Sequence, residues 1–172
     1  SMGRTAFERC VVFHSLSKRS NLPGLRSGFV AGDARILQDY FQYRTYEGCA
    51  LPAQVQRASA LAWADEAHVV ENRALYRQKF ATLTPILEKA FELHHPDGGF
   101  YHWLDVGEDD QSFTLDLFRQ ENITVLPGSF LSREAPGGNP GQGFVRVAWV
   151  APLDDCIDAA ERLSRWRAAR RS

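Results

Sequence analysis

Residues 15–28 read Ser-Leu-Ser-Lys-Arg-Ser-Asn-Leu-Pro-Gly-Leu-Arg-Ser-Gly, and this stretch decides how the chain is interpreted. The apolar run Cys10–Phe13 precedes it and predicts a short buried strand over residues 9–14. Such a strand would deliver Lys18 onto a loop of small residues. Burying an ammonium group is costly, so a lysine in this setting is favoured as the neutral amine that Schiff-base chemistry requires.

The residues around this lysine are suited to an anion. Ser15 and Ser17 carry hydroxyls, and Arg26 lies between two glycines, Gly24 and Gly28, eight positions after Lys18. Hydroxyls and a planar guanidinium fork match the several acceptor oxygens of a phosphate. A reactive lysine beside a phosphate site indicates pyridoxal 5'-phosphate (PLP) as the cofactor.

The order of these residues resembles a known family. Ser-x-Ser-Lys followed by Asn-Leu-Pro-Gly-x-Arg-x-Gly is similar to the PLP-attachment motif of class I/II aminotransferases, which are fold-type I PLP enzymes. The resemblance implies that Lys18 attaches the cofactor covalently, that Ser15 and Arg26 hold its phosphate, and that Ser17 makes a weaker contact. The sequence from Lys-Arg-Ser-Asn (18–21) to Val-Ala-Gly-Asp (30–33) most resembles that of N-succinyldiaminopimelate aminotransferases.

A second informative segment is Gly143–Trp149, in which a single arginine, Arg146, lies among apolar residues. A buried guanidinium needs a partner, because its desolvation is otherwise uncompensated. A structural aspartate or glutamate is one candidate partner, and a substrate carboxylate held by the bidentate fork is the other. The resemblance implies the second, since aminotransferases carry such an arginine on a late strand of the small domain.

The pattern of elements predicts an α/β fold, since strands and helices alternate with short connections. Asp33 is a candidate N-cap for a helix over 34–46, and the region 53–94 is rich in helical periodicity, with Pro85 as its expected break. Further predicted elements are strands over 100–106, 123–126 and 144–150, a helix after the acidic loop at 108–110, and a closing helix over 154–169.

The resemblance also sets the expected domain organisation. Residues 1–70 would be the end of the large PLP-binding domain, and residues 71–172 the small C-terminal domain. The chain would thus be the C-terminal portion of a longer fold-type I enzyme. The aromatic residue that stacks on the cofactor ring and the aspartate that pairs with its nitrogen would lie in the missing part, so the chain alone is expected to be inactive. The full-length enzyme is expected to be a homodimer.

Bulk properties exclude several classes of partner. The net charge is −1, which provides no electrostatic reason to expect nucleic acid or an anionic membrane surface as a partner. We found no long apolar run and no secretory signal, so a cytoplasmic location is expected. The cysteines are scattered and the histidines form no ligand-like spacing, so we expect no metal site.

The expected function is transamination between an amino acid, with glutamate as the favoured donor, and a keto acid. The subgroup resemblance points to N-succinyl-2-amino-6-ketopimelate and lysine biosynthesis. Three alternatives stay open at this level. One is another fold-type I PLP enzyme, such as a lyase or decarboxylase. The second is the aminotransferase-like effector-binding domain of a transcription regulator, and the third is a non-catalytic fold or dimerisation module.

Overall fold

A computed structural model of the chain describes residues 7–171. The chain divides into two units, Ser1–Arg73 and Ala74–Ser172, and the boundary falls within one long helix. None of the helices in the described part is long and apolar enough to cross a membrane.

Unit 1 is built on a two-stranded antiparallel ribbon followed by helices. Strand β1 pairs with β2 in a register that runs from Val11↔Gly32 to Ser15↔Gly28. The elements of this unit are β1 (Val11–Ser15), α1 (Leu16–Arg19), a 3-10 turn (Pro23–Leu25), β2 (Gly28–Gly32), α2 (Ala34–Glu47), α3 (Ala53–Ala64) and the start of α4 (Ala67–Leu87).

The strand before the lysine exists, but the expectation that it is buried is wrong. Val12 is 43% exposed and Phe13 is 67% exposed. The reason is that β1 pairs with one strand only within the described residues, and the fully buried apolar side chains of unit 1 are limited there to Leu16 and Val69. An apolar strand composition indicates a preference for burial, which this chain by itself does not satisfy.

The helical region after residue 53 divides at a place that the sequence did not indicate. Helix α3 ends at Ala64 and α4 begins at Ala67, with the Asp65 carboxylate accepting a hydrogen bond from the Ala67 amide at 2.8 Å. Pro85, the expected break, lies inside α4, two residues before its end. Aspartate at a helix start satisfies an unpaired amide, so Asp65 favours a new helix here.

Unit 2 is a three-stranded antiparallel sheet of order β3-β5-β4, covered by helices on one face. Its elements are β3 (Tyr101–Asp105), α5 (Asp110–Glu121), β4 (Leu126–Pro127), a 3-10 turn (Gly128–Phe130), β5 (Phe144–Ala148) and α6 (Leu153–Arg171). Side chains alternate along the strands, so Leu104, Val145 and Val147 point into the core. Their neighbours in sequence therefore lie on the opposite face of the sheet.

Two arginines near the end of α6 form ion pairs with carboxylates from elsewhere in unit 2. The Arg167 side chain is only 7% exposed, pairs with Glu108 at 2.5 Å and also donates to the Val106 carbonyl. Arg170 bridges Glu108 and Asp116 at 2.9 and 3.1 Å. Glu108, in the acidic loop after β3, therefore pairs with both arginines, although they lie far from it in sequence.

Candidate active site

The lysine segment joins the two strands of the unit 1 ribbon. The ladder ends at Ser15↔Gly28, and the Leu16 amide donates to the Ser27 carbonyl at 3.1 Å. A Cβ on Gly28 would lie 2.5 Å from the His14 carbonyl oxygen, so the close approach of the strands requires glycine. Residues 16–27 therefore form a closed connection whose two ends are held together by the ribbon.

The structure brings Ser15 and Arg26 to one surface. Both line an open groove of about 1090 Å³ within unit 1, together with aromatic side chains of the ribbon and α2 such as Phe29 and Tyr40. Arg26 is exposed, has a positive φ of 51° and donates to the Pro23 carbonyl at 3.0 Å. A hydroxyl and a guanidinium therefore face the same groove.

Lys18 and Ser17 lie in α1, a single helical turn that the sequence did not predict. The Ser15 hydroxyl accepts a hydrogen bond from the Ser17 amide at 3.0 Å and so caps this helix. Ser17 is half-buried, and Lys18 is exposed rather than buried as expected. Neither of them lines the groove that Ser15 and Arg26 share.

Arg19, which sequence reasoning did not single out, fixes this helical turn. Its side chain is only 8% exposed, donates to the carbonyls of Ala62 (2.9 Å) and Trp63 (3.4 Å), and pairs with Glu66. The guanidinium also lies 4.9 Å from the Trp63 ring centre. The last carbonyls of a helix have no partner inside it, so Arg19 completes the hydrogen bonding at the end of α3. This contact fixes the position of Arg19, which directly follows Lys18 in the chain.

Arg146 lies in unit 2, on the face of the sheet opposite the core. It is half-buried, and its Nε is buried without a hydrogen-bond partner. Its guanidinium carbon lies 5.5 Å from the centre of the Tyr101 ring. No carboxylate among the described residues forms an ion pair with it, so the structural aspartate or glutamate considered from the sequence is not found in residues 7–171.

A buried carboxylate organises the turn beside this strand. Asp110 is fully buried and accepts hydrogen bonds from the amides of Ser129 at 2.9 Å and Gly143 at 3.3 Å. Burial raises the pKa of Asp110, but the hydrogen bonds from Ser129 and Gly143 outweigh that effect, and the net shift is downward. Asp110 thus ties the first residue of α5 to both the Gly128–Phe130 turn and the approach to β5.

His102 lies on the core side of the same sheet. Its Nδ1 accepts from Trp149 Nε1 at 2.7 Å, and its Nε2 lies 3.3 Å from the Thr84 hydroxyl. Burial, and secondarily the charge of His95, lowers the pKa of His102 to about 4. The imidazole is therefore neutral near pH 7 and serves the core rather than proton transfer.

Comparison with known proteins settles the family. The model of the family described as "Aminotransferase class I and II" matches residues 3–163. The chain belongs to this aminotransferase family. Its members are PLP-dependent enzymes. The family match and the similar solved structures described next confirm the expected fold class, α/β in a portion of a fold-type I aminotransferase.

Individual aminotransferases show how much of such a protein this chain represents. It is 38% identical over 152 residues to the 4-dedimethylamino-4-oxo-anhydrotetracycline transaminase of Streptomyces rimosus, covering 88% of this chain and 40% of that protein. A crystal structure of an aminotransferase from Neisseria meningitidis superposes with a TM-score of 0.89 at 50% identity, covering 96% of this chain and 42% of that one. The structure of a probable N-succinyldiaminopimelate aminotransferase from Thermus thermophilus gives 0.81 at 31% identity, covering 94% and 43%. The chain therefore spans about two fifths of the length of these aminotransferases.

The residues present fit the phosphate end of the family's cofactor. A hydroxyl and a guanidinium line one groove at the two ends of the lysine segment, and both are chemically suited to phosphate oxygens. The fit is one of donor chemistry, and it concerns unit 1 alone.

Proposed function

We propose that this chain is the C-terminal, lysine-bearing portion of a PLP-dependent aminotransferase. The observation that supports the proposal is the closed segment 16–27: Ser15 and Arg26 line one groove near its two ends, and Lys18 lies between them in sequence. In this proposal residues 1–70 complete the large domain and residues 71–172 form the small domain. The family match supports the assignment of the reaction class.

The protein groups have separate tasks. Ser15 and Arg26, assisted by Ser17, hold the phosphate, and Lys18 attaches the cofactor through Nζ. When bound, PLP supplies an electron sink for the substrate carbon. Lys18 Nζ would also act as the general base that takes the proton from the substrate Cα.

Arg146 completes this division of labour by binding the substrate carboxylate. Its unpaired, partly buried guanidinium supports this role, because a bidentate carboxylate would satisfy it. Holding the carboxylate fixes which bond of the substrate Cα faces the cofactor. It therefore directs the reaction toward proton removal.

For the substrates, we propose glutamate as amino donor and N-succinyl-2-amino-6-ketopimelate as acceptor, in lysine biosynthesis. The likeness to the probable N-succinyldiaminopimelate aminotransferase supports this choice. The similarity to a tetracycline-pathway transaminase makes a bulky ketone the competing acceptor. Comparing turnover of the two acceptor types by the full-length protein decides between them.

We also propose that the full-length protein is a cytoplasmic homodimer, as is typical of the family. Sedimentation of the full-length protein at micromolar concentration tests the dimer. A monomer with full activity contradicts it.

Covalent trapping tests the role of Lys18. The full-length protein is incubated with PLP and reduced with borohydride, and the modified peptide is identified by mass spectrometry. We expect the label on Lys18, with loss of both label and transaminase activity in Lys18→Ala, because Lys18 is the lysine of this chain that lies in the segment between Ser15 and Arg26.

Lys89→Ala is the matched control, because Lys89 is also exposed and lies in the other unit. It should keep label and activity. Undiminished labelling of Lys18→Ala, or label distributed over Lys79 and Lys89, contradicts the assignment. The 172-residue chain alone is expected to show no transaminase activity.

A further inference from the structure

The surroundings of Arg146 contain an aromatic platform that the proposed reaction does not by itself explain. Register places Trp103 directly opposite Arg146 on β3, and Ala148 opposite Tyr101. Tyr101, Trp103 and Arg146 therefore share the face of the sheet that points away from the core. The Tyr101 ring lies under the guanidinium, 5.5 Å from ring centre to guanidinium carbon.

The Tyr101 ring is an important contact of this guanidinium. Within residues 7–171 its buried Nε forms no hydrogen bond and no carboxylate forms an ion pair with it. A cation facing an aromatic ring is attracted by the negative charge of the ring face. Among the residues described, Tyr101 is thus the aromatic side chain whose ring faces this cation.

The aromatic side chains are themselves held. Tyr101 meets Phe100 edge-on, with centres 5.5 Å apart and planes at 89°. Trp103 stacks on Phe144, with centres 5.9 Å apart and planes at 16°. Both contacts limit rotation of the rings, so the platform presents a fixed surface to Arg146.

We propose that Tyr101 is a positioning residue for Arg146: its ring holds the guanidinium plane ready for bidentate capture of a carboxylate. The proposal rests on the proposed role of Arg146 as carboxylate ligand. The ring is the active part of Tyr101, and the hydroxyl is dispensable. The expected ligand class is a carboxylate presented edge-on to the guanidinium fork.

Nuclear magnetic resonance of arginine side chains tests this on the 172-residue chain without any cofactor. The Arg146 Nε–Hε signal, assigned by its loss in Arg146→Gln, is followed during titration with sodium succinate. Sodium chloride at matched ionic strength is the control. We expect a saturable shift with succinate only, and an Hε signal displaced upfield by the Tyr101 ring current.

Two variants separate the ring from the hydroxyl. Tyr101→Phe keeps the ring and should leave the half-saturating succinate concentration unchanged. Tyr101→Leu should raise it about two- to fivefold, the size expected from losing a cation–π contact at a half-exposed site, and should remove the upfield displacement. Tyr101 is 38% exposed, so both variants are expected to fold.

Each outcome discriminates between the ideas. An unchanged half-saturation in Tyr101→Leu overturns the positioning role while leaving Arg146 as the carboxylate ligand. An undisplaced Hε signal in the unsubstituted chain overturns the stacking itself and requires no variant. A response of Arg146 to chloride equal to that with succinate overturns its carboxylate role, independently of the Lys18 labelling result.

Discussion

Acidification should destabilise unit 2 through one buried imidazole. His102 has a folded-state pKa of about 4, against an ordinary value of 6.5, because burial disfavours its charged form. Below pH 6.5 His102 binds a proton in the unfolded chain, whereas in the folded chain it does so only as the pH approaches 4. Stability that is fully present above pH 6.5 is therefore lost as pH falls toward 4.

The size of the loss follows from the two pKa values. Their difference of about 2.5 corresponds to an upper limit of about 3 kcal/mol. Roughly 2 kcal/mol of it is already lost between pH 7 and pH 5, which keeps the measurement above the range of most carboxylates. The loss should be specific to His102, which donates and accepts entirely within the core.

Urea unfolding at pH 7 and pH 5 measures this effect in the parent and in His102→Gln. Glutamine can accept from Trp149 and donate to Thr84 but does not titrate, so subtracting its pH dependence removes the contribution of all other groups. We expect the stability advantage of the parent to shrink by about 2 kcal/mol between the two pH values. A constant difference, or a His102 proton signal that titrates near 6.5, refutes the reasoning.

Two further predictions concern stability, and both are measured by thermal unfolding. Glu108→Gln should lower the free energy of unfolding by about 1–3 kcal/mol, because it leaves the nearly buried Arg167 without its carboxylate. The control Glu161→Gln breaks an exposed pair and should change that free energy by less than about 1 kcal/mol. Equal effects of the two variants contradict the assigned burial. Gly28→Ala should cost about 1–3 kcal/mol through collision of its Cβ with the His14 carbonyl, and Gly24→Ala, with no atom near its Cβ, should be nearly neutral; a neutral Gly28→Ala means that the ribbon can separate.

Local signals in the sequence identified the elements best. Helix α2 begins after Asp33 as predicted, because the carboxylate accepts the Arg35 and Ile36 amides within the same turn. The strand before the lysine segment was likewise predicted, since β-branched and aromatic residues are typical of strands. Such features depend on neighbours in sequence alone.

Features that depend on distant partners were missed. The pairing of Arg167 with Glu108 joins residues that are far apart in sequence, so no local pattern predicts it. Asp110 looked like part of an acidic loop, although it is buried under two backbone donors. The burial of β1 was overpredicted for a related reason, since strand composition does not reveal how many neighbours the strand has.

The candidate site shows the same division. The motif predicted that Ser15 and Arg26 hold one phosphate; both line the same groove, and phosphate binding stays a prediction. It could not predict that Arg19, adjacent to Lys18, would reach the end of α3. That contact joins residues more than 40 positions apart and leaves no local pattern.

The Arg19 contact has a consequence for engineering. The Arg19 guanidinium is held by carbonyls at the end of α3 and by Glu66. Random libraries directed at residues 62–66 would therefore change the position of the neighbouring Lys18 without altering the motif itself. Variation there offers a means of shifting the lysine segment from a helix end that lies outside the motif.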